Sequence, residues 1–187
     1  MHLRDALASD IPALTAIYNS ILLTSTAIYN DTPATLDDRL AYWRSRTAQN
    51  YPVLVAVGQA AVNETLTNQI LGYATFGDFR SWPGYRFTVE ITIHIRDGHR
   101  GRGIGTALLH ELIARARTLG KHMLIAGVDS ENTASLNFLT RHGFTSAGVL
   151  HEVGFKFNRW LNLHFLQFDL TPQPQPNKPL PNPTAPL

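Results

Sequence analysis

A glycine-rich turn at residues 99–105, HRGRGIG, constrains the fold more than any other segment of this chain. It carries three glycines and two arginines, and an apolar-striped helix pattern follows it directly. Glycine leaves the turn without Cβ atoms, and the unpaired amides at the amino end of a helix attract an anion such as a phosphate. An ordinary strand-to-helix turn with solvent-facing arginines would look the same, so the neighbouring segments must decide between the two.

Four segments have helical spacing of their apolar residues: 9–23, 35–49, 106–120 and 131–144. The first helix is predicted to begin at Ser9 or Asp10 with Pro12 in its first turn, and the second at Thr35. The predicted buried stripes are Ile11, Leu14, Ile17, Tyr18 and Ile21, then Leu36, Leu40 and Trp43, then Leu108, Leu109, Leu112, Ile113 and Ala116.

Strand patterns fill the rest of the chain: 2–6, 52–57, 70–78, 86–95, 123–130, and two strands within 148–170 around a turn near 158–162. Polar residues at 59–69 and the sequence RSWPG at 80–84 predict the turns of an antiparallel meander. The predicted order of elements is βααβββαβαββ.

Composition excludes several functions. With 187 residues and 44% apolar content, the chain can build one domain with a sizeable core. A net charge of +2 without a basic run argues against nucleic acid, and the absence of cysteine removes thiolate chemistry. The eight histidines show no metal-ligand spacing, so no metal is expected. Apolar stretches fall short of the roughly 18 residues of a membrane span, so a cytoplasmic protein without a membrane partner is expected.

The carboxyl-terminal segment 171–187, TPQPQPNKPLPNPTAPL, contains seven of the eleven prolines. Such a composition predicts a disordered or polyproline-like tail after a domain formed by residues 1–170. A proline-rich docking ligand remains an alternative interpretation of the tail.

Two common phosphate-binding loops fit the glycine turn poorly. A Walker loop ends in Gly-Lys-Ser/Thr, whereas this chain continues as Gly103-Ile104-Gly105-Thr106. A dinucleotide-binding fingerprint would place glycine at position 106, and Asp129 follows the next strand at a loose spacing. The dinucleotide interpretation therefore stays weak.

The turn matches the R/Q-x-x-G-x-G/A loop of the GCN5-related N-acetyltransferases (the GNAT superfamily) at every fixed position of 100–105. Downstream, Asn132, Ser135, Gly143 and Phe144 are similar to the N-x-x-(A/S) and G-F pattern of that superfamily. The resemblance implies an α/β (α+β) GNAT fold. Its mixed, mostly antiparallel sheet has a parallel splayed strand pair, and helices cover both faces.

Further blocks resemble the phosphinothricin and methionine sulfoximine N-acetyltransferase branch, namely SRTAQNYPVLVA, GDFRSW, FTVE, AGVDSENTAS and GFKFNRWLNL. The similarity spans about residues 3–170. It implies an acetyl-CoA-dependent enzyme that acetylates the α-amine of a small amino acid or analogue by direct attack.

The resemblance also implies where acetyl-CoA binds. The pantetheine arm would lie along the unpaired edge of the upstream strand, and the diphosphate on the amides of the turn. A backbone N–H near Ile95 would polarise the thioester carbonyl. The expected cofactor-binding residues are Ile93, His94, Ile95, Arg100, Gly101, Arg102, Gly103, Ile104, Gly105, Thr106, Asn132, Ser135 and Arg141.

Glu90 is the candidate general base, because it stands in Thr88-Val89-Glu90 where family counterparts hold that role. Alternatively it is a surface carboxylate paired with Arg80 or Arg86. Relatives carry Tyr or His at position 139 to protonate the CoA thiolate, whereas this chain has Leu139. Water, His142 or Thr140 would then replace that donor.

The acceptor pocket is expected to hold a carboxylate at Arg80. Lys156 and Phe157 resemble a segment that lines the pocket across a two-fold interface, so a homodimer is expected. The full set of expected acceptor-binding residues is Phe76, Arg80, Trp82, Gly84, Tyr85, Lys156 and Phe157.

Two rival functions remain open. One is acetylation of another amine, such as a polyamine, an antibiotic or a protein amino terminus. The other is a non-catalytic acyl-CoA-binding module, which the leucine at position 139 would suit.

Overall fold

A computed structural model of the chain describes residues 1–62 and 65–171. The tail predicted for 171–187 lies outside the described residues except for Thr171. The elements are, in chain order, β1 His2–Asp5, α1 Ile11–Thr24, α2 Leu36–Ala48, β2 Val53–Val62, β3 Thr65–Asp78, β4 Thr88–Ile95, α3 Ile104–Thr118, β5 Met123–Asp129, α4 Thr133–Arg141, β6 Thr145–Lys156 and β7 Arg159–Asp169. Short 3-10 turns precede α1 and β4. The predicted order of helices and strands is confirmed.

One predicted turn is wrong. The polar residues at 59–69 indicated a wide connection, yet β2 continues to Val62 and β3 begins at Thr65, with their backbones paired. Strand pairing is carried by backbone hydrogen bonds, which polar residues make as well as apolar ones do. The hairpin is therefore longer than the apolar pattern alone predicts.

The sheet holds seven strands in the order β1-β2-β3-β4-β5-β7-β6. Every neighbouring pair is antiparallel except β4 and β5, which run parallel. Helix α1 packs on one face, with Ile11, Leu14, Ile17 and Ile21 buried. Helix α3 packs on the other face with all five predicted stripe residues buried. The expected mixed sheet with helices on both faces is confirmed.

The parallel pair separates after Glu90. Among the described residues, β4 pairs with β5 only at Thr88, Val89 and Glu90. Beyond that point β4 stays paired to β3 as far as Ile95, while β5 stays paired to β7 along its whole length. The sheet therefore opens into two halves, and no strand in the described ranges pairs with the β5-facing backbone edge of residues 91–95.

Two details of the helices differ from expectation. Asp10 does occupy the N-cap of α1, but its carboxylate accepts hydrogen bonds from Arg4, at 2.6 and 2.9 Å, and from the Leu7 amide at 2.8 Å, and not from a helix amide. In α2 the predicted stripe residue Leu36 is 53% exposed, because only Leu40 and Trp43 of that stripe reach the core. No helix in the described part of the chain is long and apolar enough to span a membrane.

Candidate active site

A cavity of about 980 Å³ occupies the opening between β4 and β5. Residues 90–95 and 126–129 of the two separating strands form its walls. The glycine-rich turn and α4 close one side, and α1, α2 and the loop between them close the other. The separation of the strands thus creates a channel that reaches both faces of the sheet.

The glycine-rich turn leads into α3 through backbone that favours glycine. Gly101 and Gly103 have φ of +74° and +77°, in the left-handed region, and Gly103 is the N-cap of α3. No side chain in residues 1–62 or 65–171 caps this helix end, so the amides of its first turn are free to bind an anion. The predicted residues of this turn line the cavity except for exposed Arg102.

Helix α4 forms the neighbouring wall. The Asn132 side chain caps it by accepting a hydrogen bond from the Ser135 amide at 3.1 Å. The ring of Phe138 lies 3.4 Å from where a Cβ on Gly105 would stand, so the glycine permits α3 and α4 to approach closely. Ser135, Leu139 and the predicted Arg141 line the cavity here.

Glu90 lies at the point where the two strands part. One of its carboxylate oxygens is 3.1 Å from the position of a Cβ on Gly127, so the side chain reaches across the opening to β5. Burial raises the pKa of Glu90, and the guanidinium of Arg80 opposes part of that rise. A carboxylate with a raised pKa facing a cavity is a suitable proton acceptor.

His94 lies four residues further along the same face of β4. Its ring packs edge-on against Tyr73, with centroids 5.3 Å apart, and against Tyr18 at 6.4 Å. Burial, together with the cations Arg39 and Arg100, lowers the pKa of His94 to about 4. The imidazole is therefore neutral at physiological pH.

The structure adds cavity residues that sequence reasoning missed. Arg39 and Tyr42 of α2 line the cavity with Tyr18 and Tyr73. The guanidinium carbon of Arg39 is 4.5 Å from the ring centroids of both Tyr18 and Tyr42, and Nη2 donates a hydrogen bond to Tyr73 Oη at 3.2 Å. Arg39, Tyr42 and Arg46 follow helical spacing on α2, which is the signal that could have drawn attention to them.

The residues expected around the acceptor do not line the cavity. Phe76 is fully buried in the core on the α3 side, against Tyr51, so it cannot wall an open pocket. Arg80 lies over the Phe79 ring and donates to its own neighbour's carbonyl. Trp82 and Tyr85 are exposed, as is Gly84 in the same loop.

Lys156 is buried within the chain and does not line the cavity. Its ammonium donates hydrogen bonds to the carbonyls of Leu22, Ser25 and Ile28 at 2.5, 2.9 and 2.7 Å. The lysine thereby fixes the end of α1 and the start of the α1–α2 loop, which lines the cavity. Phe157 is exposed at the tip of the β6–β7 hairpin.

The same loop is tied to the sheet at two more points. Thr26 donates a hydrogen bond to the buried carboxylate of Asp129, and Tyr29 Oη donates to the Asn162 carbonyl at 3.0 Å. Across residues 1–62 and 65–171, no group of three or more His, Asp or Glu side chains could hold a metal ion.

Comparison with known proteins agrees with this architecture. The acetyltransferase (GNAT) family model matches residues 14–144. An L-methionine sulfoximine/L-methionine sulfone acetyltransferase from Pseudomonas aeruginosa is 44% identical over 170 residues, which cover 91% of this chain and 95% of the relative. A phosphinothricin N-acetyltransferase from Alcaligenes faecalis is 38% identical over 159 residues, covering 84% and 77%. A Salmonella typhimurium protein solved with its cofactor acetyl-CoA superimposes with a TM-score of 0.82 at 41% identity, covering 95% of this chain and 98% of that one.

Proposed function

The chain belongs to the GNAT family of acetyltransferases, and from that premise we propose that it acetylates the α-amine of a small amino acid with an oxygen-bearing side chain, such as methionine sulfone, methionine sulfoximine or phosphinothricin. The observation that carries the proposal is the opening of the sheet after Glu90, with a cavity that joins the free amino end of α3 to the half-buried Glu90 carboxylate. Relatives with 38–44% identity that are named for these substrates supply the acceptor class.

The cavity fits acetyl-CoA. The unpaired edge of residues 91–95 supports binding of the amide-bearing pantetheine arm, and the uncapped turn 101–106 supports binding of the diphosphate. Arg100 adds positive charge at the cavity wall. When bound, acetyl-CoA supplies an acetyl group activated as a thioester.

Glu90 is the proposed proton acceptor for the attacking amine. Its carboxylate lies at the opening of the strands, and its raised pKa brings its proton affinity closer to that required at neutral pH. The second proton transfer goes to the departing CoA thiolate, and the tautomer of His142 decides whether its ring can supply that proton. His142 lines the cavity near Leu139, and its Nδ1 donates to the Phe138 carbonyl at 2.7 Å, so the Nε2 atom of the neutral ring carries no proton to give to the thiolate. Since an unperturbed thiol has a pKa of about 8.5, this step needs little assistance.

A homodimer is the proposed assembly. Exposed apolar side chains crowd the β6–β7 hairpin at the edge of the sheet: Val149, Leu150, Val153, Phe155, Phe157 and Trp160. Several exposed apolar side chains on an edge hairpin favour an interface with another chain. The cytoplasmic location expected from the sequence stays a prediction that cell fractionation would check.

Release of free thiol tests the function directly. Purified protein is incubated with acetyl-CoA and one acceptor at a time. The acceptors are L-methionine sulfone, L-methionine sulfoximine, L-phosphinothricin and spermidine. Because the chain has no cysteine, the protein itself contributes no background. We expect thiol release with one or more of the amino acids and none with spermidine. If none of the three amino acids gives thiol release while CoA raises the Tm of the protein, the result would instead indicate an acyl-CoA-binding module without activity.

A further inference from the structure

Arg39 is a cation in the cavity lining that has no carboxylate partner within the described part of the chain. Among the described residues the ion pairs join Arg4 to Asp10, Arg115 to Asp5 and Glu111, and Arg159 to Glu131, and none includes Arg39. A charge removed from bulk water is costly unless an opposite charge or hydrogen bonds compensate it. The position therefore calls for an anionic or strongly polar group that enters the cavity.

Aromatic rings fix the orientation of this guanidinium. Tyr18 and Tyr42 lie 4.5 Å from its central carbon, and Tyr73 takes one hydrogen bond from Nη2. Nε is buried and has no hydrogen-bond partner in the part of the chain that the structure describes. An arginine held in this way can present two parallel N–H groups to a pair of oxygen atoms with little loss of side-chain freedom.

The place of Arg39 relative to Glu90 indicates which molecule brings those oxygens. Arg39 lies beside His94, whose pKa it lowers, and His94 is four residues from Glu90 on the same strand face. At about 3.3 Å per residue the two ends of this wall are roughly 13 Å apart. An acceptor whose amine lies between them can direct oxygen atoms toward Arg39.

We propose that Arg39 is an acceptor-binding residue that takes two substrate oxygens, either of the α-carboxylate or of a side-chain sulfonyl or phosphinyl group. This inference rests on the proposed function and deepens it, since Arg39 then selects oxygen-rich acceptors. It also assigns a substrate contact to the face of the cavity formed by α1 and α2, apart from the exposed Arg80.

Steady-state kinetics of Arg39→Gln and Arg39→Lys test the proposal, with Arg46→Gln as the matched control. Arg46 stands on the same helix, and its guanidinium carbon is 4.8 Å from the centroid of the Tyr42 ring. Its Nε is also buried without a hydrogen-bond partner among the described residues, but Arg46 does not line the cavity. For L-methionine sulfone we expect kcat/KM to fall about 30-fold or more in Arg39→Gln, mainly through KM, and less in Arg39→Lys. The KM for acetyl-CoA should stay within about twofold, as should every constant of Arg46→Gln.

Comparing L-methionine sulfone with L-methionine identifies the oxygens. An equal fold-loss on both acceptors assigns Arg39 to the α-carboxylate, and a loss confined to the sulfone assigns it to the side chain. If Arg39→Gln loses no more than Arg46→Gln while the wild type is active, the inference is wrong and the proposed function stands. A wild type that acetylates none of these amino acids overturns the function and the inference together. If Arg39→Gln shows no CoA-induced rise in Tm, that variant is not correctly folded, and the same comparison is made with Arg39→Lys.

Discussion

At the scale of single residues, the carboxylate of Glu90 is the group whose chemistry is most open to test. Glu90→Gln keeps the shape of the side chain and removes the proton acceptor. We expect kcat to fall by about 10²–10⁴ with the Kd for CoA nearly unchanged. The rate of thiol release at saturating substrates gives kcat, and calorimetric titration with CoA gives the Kd.

The pH dependence of the same enzyme gives a second readout of Glu90. Only the ionised carboxylate accepts a proton, so activity should decline as pH falls through the pKa of Glu90. Because burial raises that pKa, the decline should begin at a higher pH than for an exposed glutamate, whose pKa is about 4.3. Exposed Glu152→Gln is the control and should leave the profile unchanged. A Glu90→Gln enzyme with full activity at neutral and mildly acidic pH would remove this residue from the role.

Residue-scale prediction from sequence succeeded unevenly at the site. Short linear motifs placed Glu90 and the turn 100–105 among the expected site residues, and apart from Arg102 these residues line the cavity. Phe76 and Tyr73 show the limit: both are aromatic residues of β3, and being three positions apart they face opposite sides of the sheet. Since helices cover both faces, strand residues on both are apolar, and the pattern does not say which face meets the cavity. Arg39 was missed because only the packing of α2 against the sheet brings its side chain close to Tyr73 and His94.

At the scale of elements, the role of the amino end of α3 in cofactor binding can be tested apart from the stability of the helix, because a glycine stands at each end. Gly103 at its start and Gly120 beyond its end both have positive φ, +77° and +66°, with open space around the position of a Cβ. Alanine at either site should cost about 1 kcal/mol of stability, since the left-handed conformation strains any residue with a Cβ.

Only one of these two substitutions should affect the cofactor. In Gly103→Ala the strained turn shifts the free amides of α3, so we expect CoA binding to weaken by about tenfold. In Gly120→Ala the affinity for CoA should stay at the wild-type value. Urea denaturation and CoA titration of both variants check the prediction, and equal CoA affinity in the two would contradict it.

The α1–α2 loop depends on one buried lysine. Lys156→Met retains the apolar stem of the side chain and removes the ammonium that binds three carbonyls at the end of α1 and in the loop after it. The lost hydrogen bonds should cost about 1–3 kcal/mol in the free energy of unfolding. Because the loop lines the cavity on the acceptor side, KM for the amino acid should also rise while KM for acetyl-CoA does not.

The control for this lysine is Lys121→Met. Lys121 also donates to a carbonyl, that of Arg86 at 2.7 Å, but it lies outside the cavity lining. The Lys121→Met variant should lose stability without a selective rise in the KM for the amino acid. A Lys156→Met variant with an unchanged acceptor KM would show that the loop keeps its place without the lysine.

Order and type of the elements followed from the sequence because apolar periodicity and glycine positions are local signals. Helix α3 is the clearest case, with all five predicted stripe residues buried. Helix α2 was predicted from Thr35 and its acidic first turn, and it does carry the capping pair Thr35 and Asp38. Exposed Leu36 could not be predicted, since how much of a helix meets the core is decided by packing and not by its own sequence.

At the scale of the whole molecule, the β6–β7 hairpin is the face most in need of a partner. Phe155 and Trp160 stack edge to face with centroids 5.0 Å apart, yet they are 51% and 63% exposed. Register shifts interrupt the pairing of β6 with β7, and such bulges discourage open-ended strand addition. The patch is thus suited to a closed, symmetric contact between two copies of the chain.

Replacing the patch residues with charge should therefore give a folded monomer. We expect wild-type protein to sediment at twice the chain mass, and Phe155→Glu/Trp160→Glu to sediment at the chain mass with an intact CoA-induced rise in Tm. Leu119→Glu, which adds a charge at an exposed leucine at the end of α3 and outside the hairpin, should remain dimeric. Analytical ultracentrifugation over a range of concentrations distinguishes these outcomes. A wild-type protein that is monomeric throughout that range would refute the dimer, and the apolar hairpin would then need another partner.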